Sequence, residues 1–219
     1  MKKLLNFCGD SITFGLTHCT AEETYVAELA RLLAAEYPDH TVTRVDGFRP
    51  SGVLRVEEYT EVSVARGASG AITLVRNGVG GETVARALER FDQLAQFEAD
   101  AVFMMYGVND SCLGKPEKYV DPQTFGAQYR RLLDRLRQAV PEARLILMTP
   151  TVLNENLADY ADAVRGLAAE QDLCLIDMNA FWAENAQPDW LREGDPCHPT
   201  PTAARAMANY IFSIIKTAL

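Results

Sequence analysis

The segment Asp195-Pro196-Cys197-His198-Pro199 sets an imidazole three residues after a carboxylate, with prolines restricting the backbone around both. Such a pair can meet so that the carboxylate accepts from the ring Nδ1, which orients the imidazole and raises its basicity. Partners for that base stand elsewhere in the chain. Gly9-Asp10-Ser11 follows the apolar run Leu4 to Cys8 and offers a hydroxyl. Asn77-Gly78-Val79-Gly80-Gly81-Glu82-Thr83 offers bare backbone N–H groups at a helix start, suited to developing negative charge. Tyr106-Gly107-Val108-Asn109-Asp110 offers a side-chain amide able to donate to an oxyanion. Each motif alone also fits ordinary turn or capping chemistry. Together they supply a nucleophile, a base, an orienter and oxyanion donors, the set that acyl transfer requires.

The elements that must carry these motifs are legible from periodicity. Short continuous apolar runs predict strands at Lys3 to Cys8, Ala71 to Val75, Ala101 to Tyr106, Leu145 to Met148 and Leu173 to Ile176, each buried on both faces. Helical spacing predicts helices at about 22–36, with Thr20 and Glu23 as a capping box, and at 83–97, 122–140, 157–171 and 202–216. Asp121 followed by Pro122 reads as an N-cap and first turn. Alternation of this kind predicts an α/β fold with a five-stranded parallel sheet, whose ligands sit at the carboxyl ends of the strands. All four motifs fall at such ends. The stretch 47–70, in which Leu54, Val56, Val62 and Val64 could build a hairpin, reads as an inserted loop or small β excursion, covering the crevice or supplying a subunit contact.

A chain of 219 residues, 48% hydrophobic, is long enough for one core and reads as a single domain over 1–219. Its net charge of −9 argues against nucleic acid as a partner. No apolar stretch is long enough for a membrane span or a signal segment. Cys8, Cys19, Cys112, Cys174 and Cys197 are odd in number, show no C-x-x-C pair and no metal-ligand spacing with the three histidines, and read as buried or half-buried thiols of a cytoplasmic protein. The glycine segment at 77–83 is a near miss to the dinucleotide fingerprint, with Thr83 where the third glycine belongs, and the G-x-S-x-G elbow of α/β-hydrolases is absent.

Gly9-Asp10-Ser11, Gly78-x-x-Gly81, Gly107-Val108-Asn109-Asp110 and Asp195-x-x-His198 resemble, in this order, the four sequence blocks of the SGNH, or GDSL-type, hydrolases. The resemblance implies a flavodoxin-like three-layer α/β/α sandwich and a serine esterase, lipase, thioesterase or carbohydrate deacetylase without metal or organic cofactor. By motif position it implies Ser11 as nucleophile with Asp195 and His198 completing a triad, and Ser11, Gly81 and Asn109 as oxyanion donors. Asp10, Gly80, Tyr106, Trp182 and Trp190 are further candidates for the substrate pocket; Phe181 and the two tryptophans could form a sugar platform or simply pack, and His18 carries the same ambiguity. The expected substrate is a short-chain, acetyl-type ester of a small or carbohydrate alcohol. Two other readings stand beside it: thioesterase, lysophospholipase-type or acyltransferase chemistry on the same triad, and a non-catalytic flavodoxin-like module binding phosphate or flavin through Ser11, Thr13 and Thr17.

Overall fold

In the computed structural model, which describes residues 2–15, 19–49, 53, 55–151 and 156–216, strand and helix alternate from the start. In chain order the elements are β1 (Lys2–Gly9), α1 (Ser11–Phe14), α2 (Tyr25–Glu36), β2 (His40–Phe48), β3 (Glu58–Ala65), β4 (Gly70–Gly78), α3 (Val84–Glu89), α4 (Phe91–Ala95), β5 (Ala101–Met105), α5 (Pro122–Ala139), β6 (Arg144–Met148), α6 (Leu157–Glu170), β7 (Cys174–Ile176), α7 (Met178–Asn185) and α8 (Pro201–Ile215). The strands form one sheet in the order β3-β2-β4-β1-β5-β6-β7, parallel except for β3, which runs antiparallel to β2. Because successive strand residues face opposite ways, each strand feeds two cores. Leu5, Phe7 and Phe103 meet Leu29 and Leu33 of α2 and Met207 and Ile211 of α8 on one face. Val102, Met104 and Leu147 meet Leu132, Leu133 and Leu136 of α5 and Val164 of α6 on the other. The result is a three-layer α/β/α sandwich. Among the described residues no helix is long and apolar enough to cross a membrane.

The five expected strands are present as β4-β1-β5-β6-β7, but the sheet has seven, not five. The two additions extend it beyond β4. β2 lacks a continuous apolar run because Arg44 and Asp46 both point inward: Arg44 is 1% exposed, its Nε donates to Asp46 Oδ1 at 2.7 Å, and Arg76 of β4 donates to the same oxygen at 3.0 Å. Arg44 Nη2 also donates to Glu22 Oε1 at 2.6 Å. Charges at this depth persist only when paired in this way. The 47–70 excursion therefore contains the edge strand β3, whose partner is β2 and not the segment near Val56; Leu54 lies outside the described residues.

Smaller expectations are corrected locally. The helix expected from 22 begins at Tyr25, because Thr24 accepts from Ala27 N–H, while Thr20 N–H donates to Glu23 Oε2 at 2.9 Å in the turn ahead of it. The 83–97 helix breaks at Arg90, whose guanidinium is buried against Glu82. The unexpected α7 is eight residues long, too short for its period to read, and is capped by Asp177 accepting from Ala180 N–H at 3.1 Å. Asp121 caps α5 as expected, accepting from Thr124 N–H at 3.0 Å. Of the cysteines, all free, Cys174 is exposed on β7 and not buried or half-buried.

The feature that positions the functional loops is register. Gly9 of β1 lies level with Gly78 of β4 on one side and with Met105 of β5 on the other. Close approach of α1 to the end of β4 depends on Gly78 having no side chain: a Cβ there would stand 2.5 Å from Phe14 N and 2.8 Å from Thr13 C, both backbone atoms. Gly78→Ala should therefore destabilise the fold by about 1–3 kcal/mol through overpacking that no rotamer change relieves. Gly166→Ala, in α6 where a Cβ meets nothing within 4 Å, should act in the opposite sense by about 0.5–1 kcal/mol. Urea denaturation of the two variants beside the wild type checks both signs; equal midpoints for Gly78→Ala and wild type would show that α1 is not held as described.

Candidate active site

β1 delivers the hydroxyl. Asp10 caps the one-turn α1, its Oδ1 accepting from Ile12 N–H at 2.9 Å, and this turn holds Ser11 at the first helical position, 6% exposed. Thr13, two residues further on in the same turn, is buried, its hydroxyl 3.0 Å from Tyr25 OH. A cradle for phosphate on Ser11 and Thr13 is thus not formed, since Thr13 is engaged in the core; Thr17 and His18 lie outside the described residues.

The last loop delivers the imidazole. His198 Nε2 stands 3.0 Å from Ser11 Oγ, across 187 positions of chain. Its Nδ1 stands 2.9 Å from Asp195 Oδ2 and 3.1 Å from Oδ1. A carboxylate at Nδ1 assigns the neutral ring's proton to that nitrogen and leaves Nε2 as the acceptor toward Ser11. Asp195 Oδ1 also accepts from the N–H groups of Cys197 and His198 at 3.0 and 3.1 Å. Burial pushes the Asp195 carboxyl up, yet the ring and these N–H donors outweigh it and hold its pKa at about 2. The loop is itself anchored: Asp195 N–H donates to Arg192 O at 3.0 Å, Thr200 N–H to Trp190 O at 2.9 Å, and Thr200 Oγ1 to Asp189 O at 2.7 Å before Thr200 caps α8.

The second block follows β4. Val79 N–H donates to Gly9 O at 2.9 Å, which ties it to the first block, and Gly81 takes φ +77°, a conformation that favours glycine. Gly80 is buried, and its carbonyl accepts from Arg49 Nη1 at 2.9 Å. In a trans peptide the following N–H points the opposite way, so Arg49 also sets the direction of Gly81 N–H. Beneath the loop, Arg90 Nη2 donates to Glu82 Oε2 at 2.7 Å and to Asn77 O at 2.8 Å, Arg90 Nη1 donates to Asn77 Oδ1 at 2.9 Å, and Tyr106 OH donates to Glu82 Oε2 at 3.2 Å. Burial acts to lower the Arg90 pKa, but the Glu82 carboxylate raises it overall; burial also pushes the Glu82 carboxyl up, with the Arg90 guanidinium opposing. Tyr106 is therefore part of the buried support and not of a pocket wall.

The third block follows β5. Ser111 N–H donates to Gly107 O at 3.0 Å and Cys112 N–H to Asn109 O at 3.3 Å, a tight turn that presents the Asn109 side chain. Asn109 Nδ2 donates to Asp10 Oδ2 at 3.4 Å, and Lys118 Nζ donates to Asn109 Oδ1 at 3.4 Å. Asp110 accepts from Val84 N–H at 3.0 Å, joining this block to the start of α3.

Ser11, Asp195, His198, Asp10 and Asn109 are thus linked by direct contacts, with Gly81 beside Lys118 at the same edge. Trp182 and Trp190 are not: they are 2% and 5% exposed, 5.0 Å apart edge to face, and Trp190 stacks on Phe181, which stacks on Tyr210. Their faces are spent on packing α7 and α8, which corrects the reading of them as pocket residues. Sequence patterns missed Arg49, Arg90 and Lys118, because no motif spacing relates a lone cation to a loop it meets only in three dimensions. A cavity of about 600 Å³, lined by Lys3, Asp100, Arg144 and Cys174, lies at the opposite edge of the sheet, where strands begin, and has no part in this arrangement. Among the described residues no group of three or more His, Cys, Asp or Glu side chains is placed to hold a metal ion.

Two acids behind the site respond to pH in a sense unlike Asp195. Burial pushes Asp10 up to about 7, with the charges of Asp110 and Glu82 adding and the Ile12 N–H opposing; burial likewise pushes Asp110 to about 7. The unfolded chain then loses these protons first, so their contribution to stability is full below the ordinary carboxyl pKa of 3.8 and is lost as pH rises to about 7. Asp10→Asn keeps the acceptor for Ile12 N–H and removes the titration. Its melting temperature should gain on the wild type as pH rises from about 4 to 8. A gap between the two that stays constant across that range would contradict a protonated Asp10.

Comparison with known proteins bears on the same residues. The model of the GDSL-like lipase/acylhydrolase family matches residues 46–206, a span that holds the second, third and fourth blocks and begins after Ser11. The chain is 30% identical over 141 residues to the probable rhamnogalacturonan acetylesterase YesY of Bacillus subtilis (strain 168), a match spanning 53% of this chain and 62% of that protein's length. Among solved structures, the R55A mutant of Axe2, an acetyl-xylooligosaccharide esterase from Geobacillus stearothermophilus, superposes with a TM-score of 0.70 at 24% identity, covering 97% of this chain and 94% of that one. The lipase/acylhydrolase from Enterococcus faecalis gives 0.69 at 18% identity, covering 99% and 97%. These likenesses establish the same fold over nearly the whole length, and the family match, covering most of the sequence, establishes that this chain belongs to the GDSL-like lipase/acylhydrolase family.

Proposed function

We propose that this protein is a serine carboxylic ester hydrolase that removes short acyl groups, acetyl above all, from small or carbohydrate alcohols. The observation that carries the reading is the continuous contact from Ser11 Oγ to His198 Nε2 at 3.0 Å and from His198 Nδ1 to Asp195 Oδ2 at 2.9 Å. His198 Nε2 takes the Ser11 proton as Oγ attacks the ester carbonyl. The negative oxygen of the tetrahedral species is met by the N–H groups of Ser11 and Gly81 and by Asn109 Nδ2. His198 then returns the proton to the departing alcohol, leaving an acyl-serine. Water, deprotonated by the same imidazole, adds to that ester, and collapse frees the acid and restores Ser11.

Support for a carbohydrate acetyl ester comes from the relatives, since YesY and Axe2 are both described as acetylesterases of polysaccharide or oligosaccharide substrates. The free thiols of Cys8, Cys19, Cys112, Cys174 and Cys197 suit a reducing, cytoplasmic setting.

Ser11→Ala should abolish turnover of 4-nitrophenyl acetate and of acetylated xylo-oligosaccharides, and a fluorophosphonate probe should label the wild type at Ser11 alone. Retention of most of the rate by Ser11→Ala would end the reading. Asn109→Ala should lower kcat by about a hundredfold to a thousandfold, the cost of one oxyanion donor among several; a change confined to KM would remove Asn109 from that role. A series of nitrophenyl esters should peak at acetyl, and a maximum at long acyl chains would point instead to lipid-type substrates.

A further inference from the structure

One cation at the mouth of the site has no task in this cycle. Lys118 lies in the loop between β5 and α5, where its N–H donates to Lys115 O at 2.9 Å and the loop closes through Val120 N–H on Asp110 O at 3.1 Å. These bonds turn the half-buried side chain back over the oxyanion donors. Its Nζ donates to Asn109 Oδ1 at 3.4 Å and lies so near Gly81 that a Cβ there would approach it to 2.6 Å. Burial lowers the lysine's pKa, and Lys115 and Arg86 lower it further, an electrostatic cost that a lysine in open solvent would not carry.

The other end of the same amide faces Asp10, with Nδ2 donating to Oδ2 at 3.4 Å. An ammonium therefore meets the oxygen end and a carboxyl group the nitrogen end. Exchanging the two ends would set Nδ2 against the ammonium, donor against donor, whereas the protonated Asp10 carboxyl can donate to Oδ1 as well as accept from Nδ2, so Lys118 is the contact that tells the two ends apart. Without Lys118, that contact is gone, and rotation of the amide would present an acceptor where a donor is needed.

We propose that Lys118 is a positioning residue of the oxyanion hole: by donating to Asn109 Oδ1 it holds the amide with Nδ2 on the Asp10–Ser11 side, where the second hydrogen of Nδ2 meets the reacting oxygen. The proposal rests on the hydrolase reading and on Asn109 as a donor. It identifies a lysine outside the four sequence blocks as part of what makes the third block work.

The test is a double-mutant cycle on 4-nitrophenyl acetate with wild type, Lys118→Met, Lys118→Arg, Asn109→Ala and the Lys118→Met, Asn109→Ala pair, each checked for fold by circular dichroism. Lys118→Met should lower kcat about tenfold to a hundredfold, less than outright loss of a donor, with KM within about twofold. Lys118→Arg should recover most of that loss. In the Asn109→Ala background the same Lys118→Met change should cost less than about threefold, because the residue it positions is already absent. An unchanged kcat in Lys118→Met, a loss confined to KM, or a full loss repeated in the Asn109→Ala background would overturn the proposal. A wild type that neither turns over the ester nor reacts with a fluorophosphonate would overturn the hydrolase reading itself, and the Lys118 role with it.

Discussion

Gly9 at the end of β1 pairs level with Gly78 on one side and Met105 on the other, and the whole site depends on that register. β1 is the strand at which the order reverses: β4, β2 and β3 lie to one side, and β5, β6 and β7 to the other. The chain leaving β1 therefore enters a crevice flanked by the loops that leave β4 and β5, and three of the four blocks come together for topological reasons before any side chain is considered. A one-residue slip of β1 would turn Leu5 and Phe7 out of their core, so burial of the apolar faces is what locks the loops in place.

The loops then rest on buried charge. Glu82, Arg90, Asn77 and Tyr106 form a satisfied polar cluster directly beneath Gly80 and Gly81, while Arg44, Asp46, Arg76 and Glu22 form another along β2 and β4. Removing one member of such a pair strands its partner in a low-dielectric interior, at a cost of about 3–5 kcal/mol. The clusters thus hold narrowly defined geometries. Arg76 reaches from the second cluster to the carbonyl of Phe14 at the end of α1, which connects the added strand β2 to the turn that carries Ser11. The β2–β3 unit is in this sense part of the site's support, and Arg49, just past β2, completes the link at Gly80 O.

The electrostatics of the loop that carries Asp195 and His198 and of its background differ in sign. Asp195, half-buried and met by three N–H donors, stays ionised far into acid and so keeps its bond to the His198 ring. Asp10 and Asp110, buried behind Gly81 and Asn109, hold their protons to about neutrality because burial penalises their charge. In the proposed cycle, neutral acids at these positions would spare a developing oxyanion two repulsions.

Much of this was determined locally. Leu4 to Cys8, Ala101 to Met105 and Leu145 to Met148 are apolar on both faces and can only be interior strands, Asp121 with Pro122 starts a helix in almost any context, and the four motifs announce their chemistry by residue type and order. What tertiary structure decided concerns side chains whose environment is made by distant partners. Arg44 and Asp46 make β2 look like a surface segment until Arg76 and Glu22 arrive to pair with them, and Trp182 and Trp190 look like a sugar platform until they pack edge to face on each other and Trp190 stacks on Phe181. Lys118 carries no local mark at all; it matters only because a loop folds it back over Asn109 and Gly81. Periodicity reports which faces an element can bury in hydrocarbon, whereas the burial of charge is settled by partners far away in the chain.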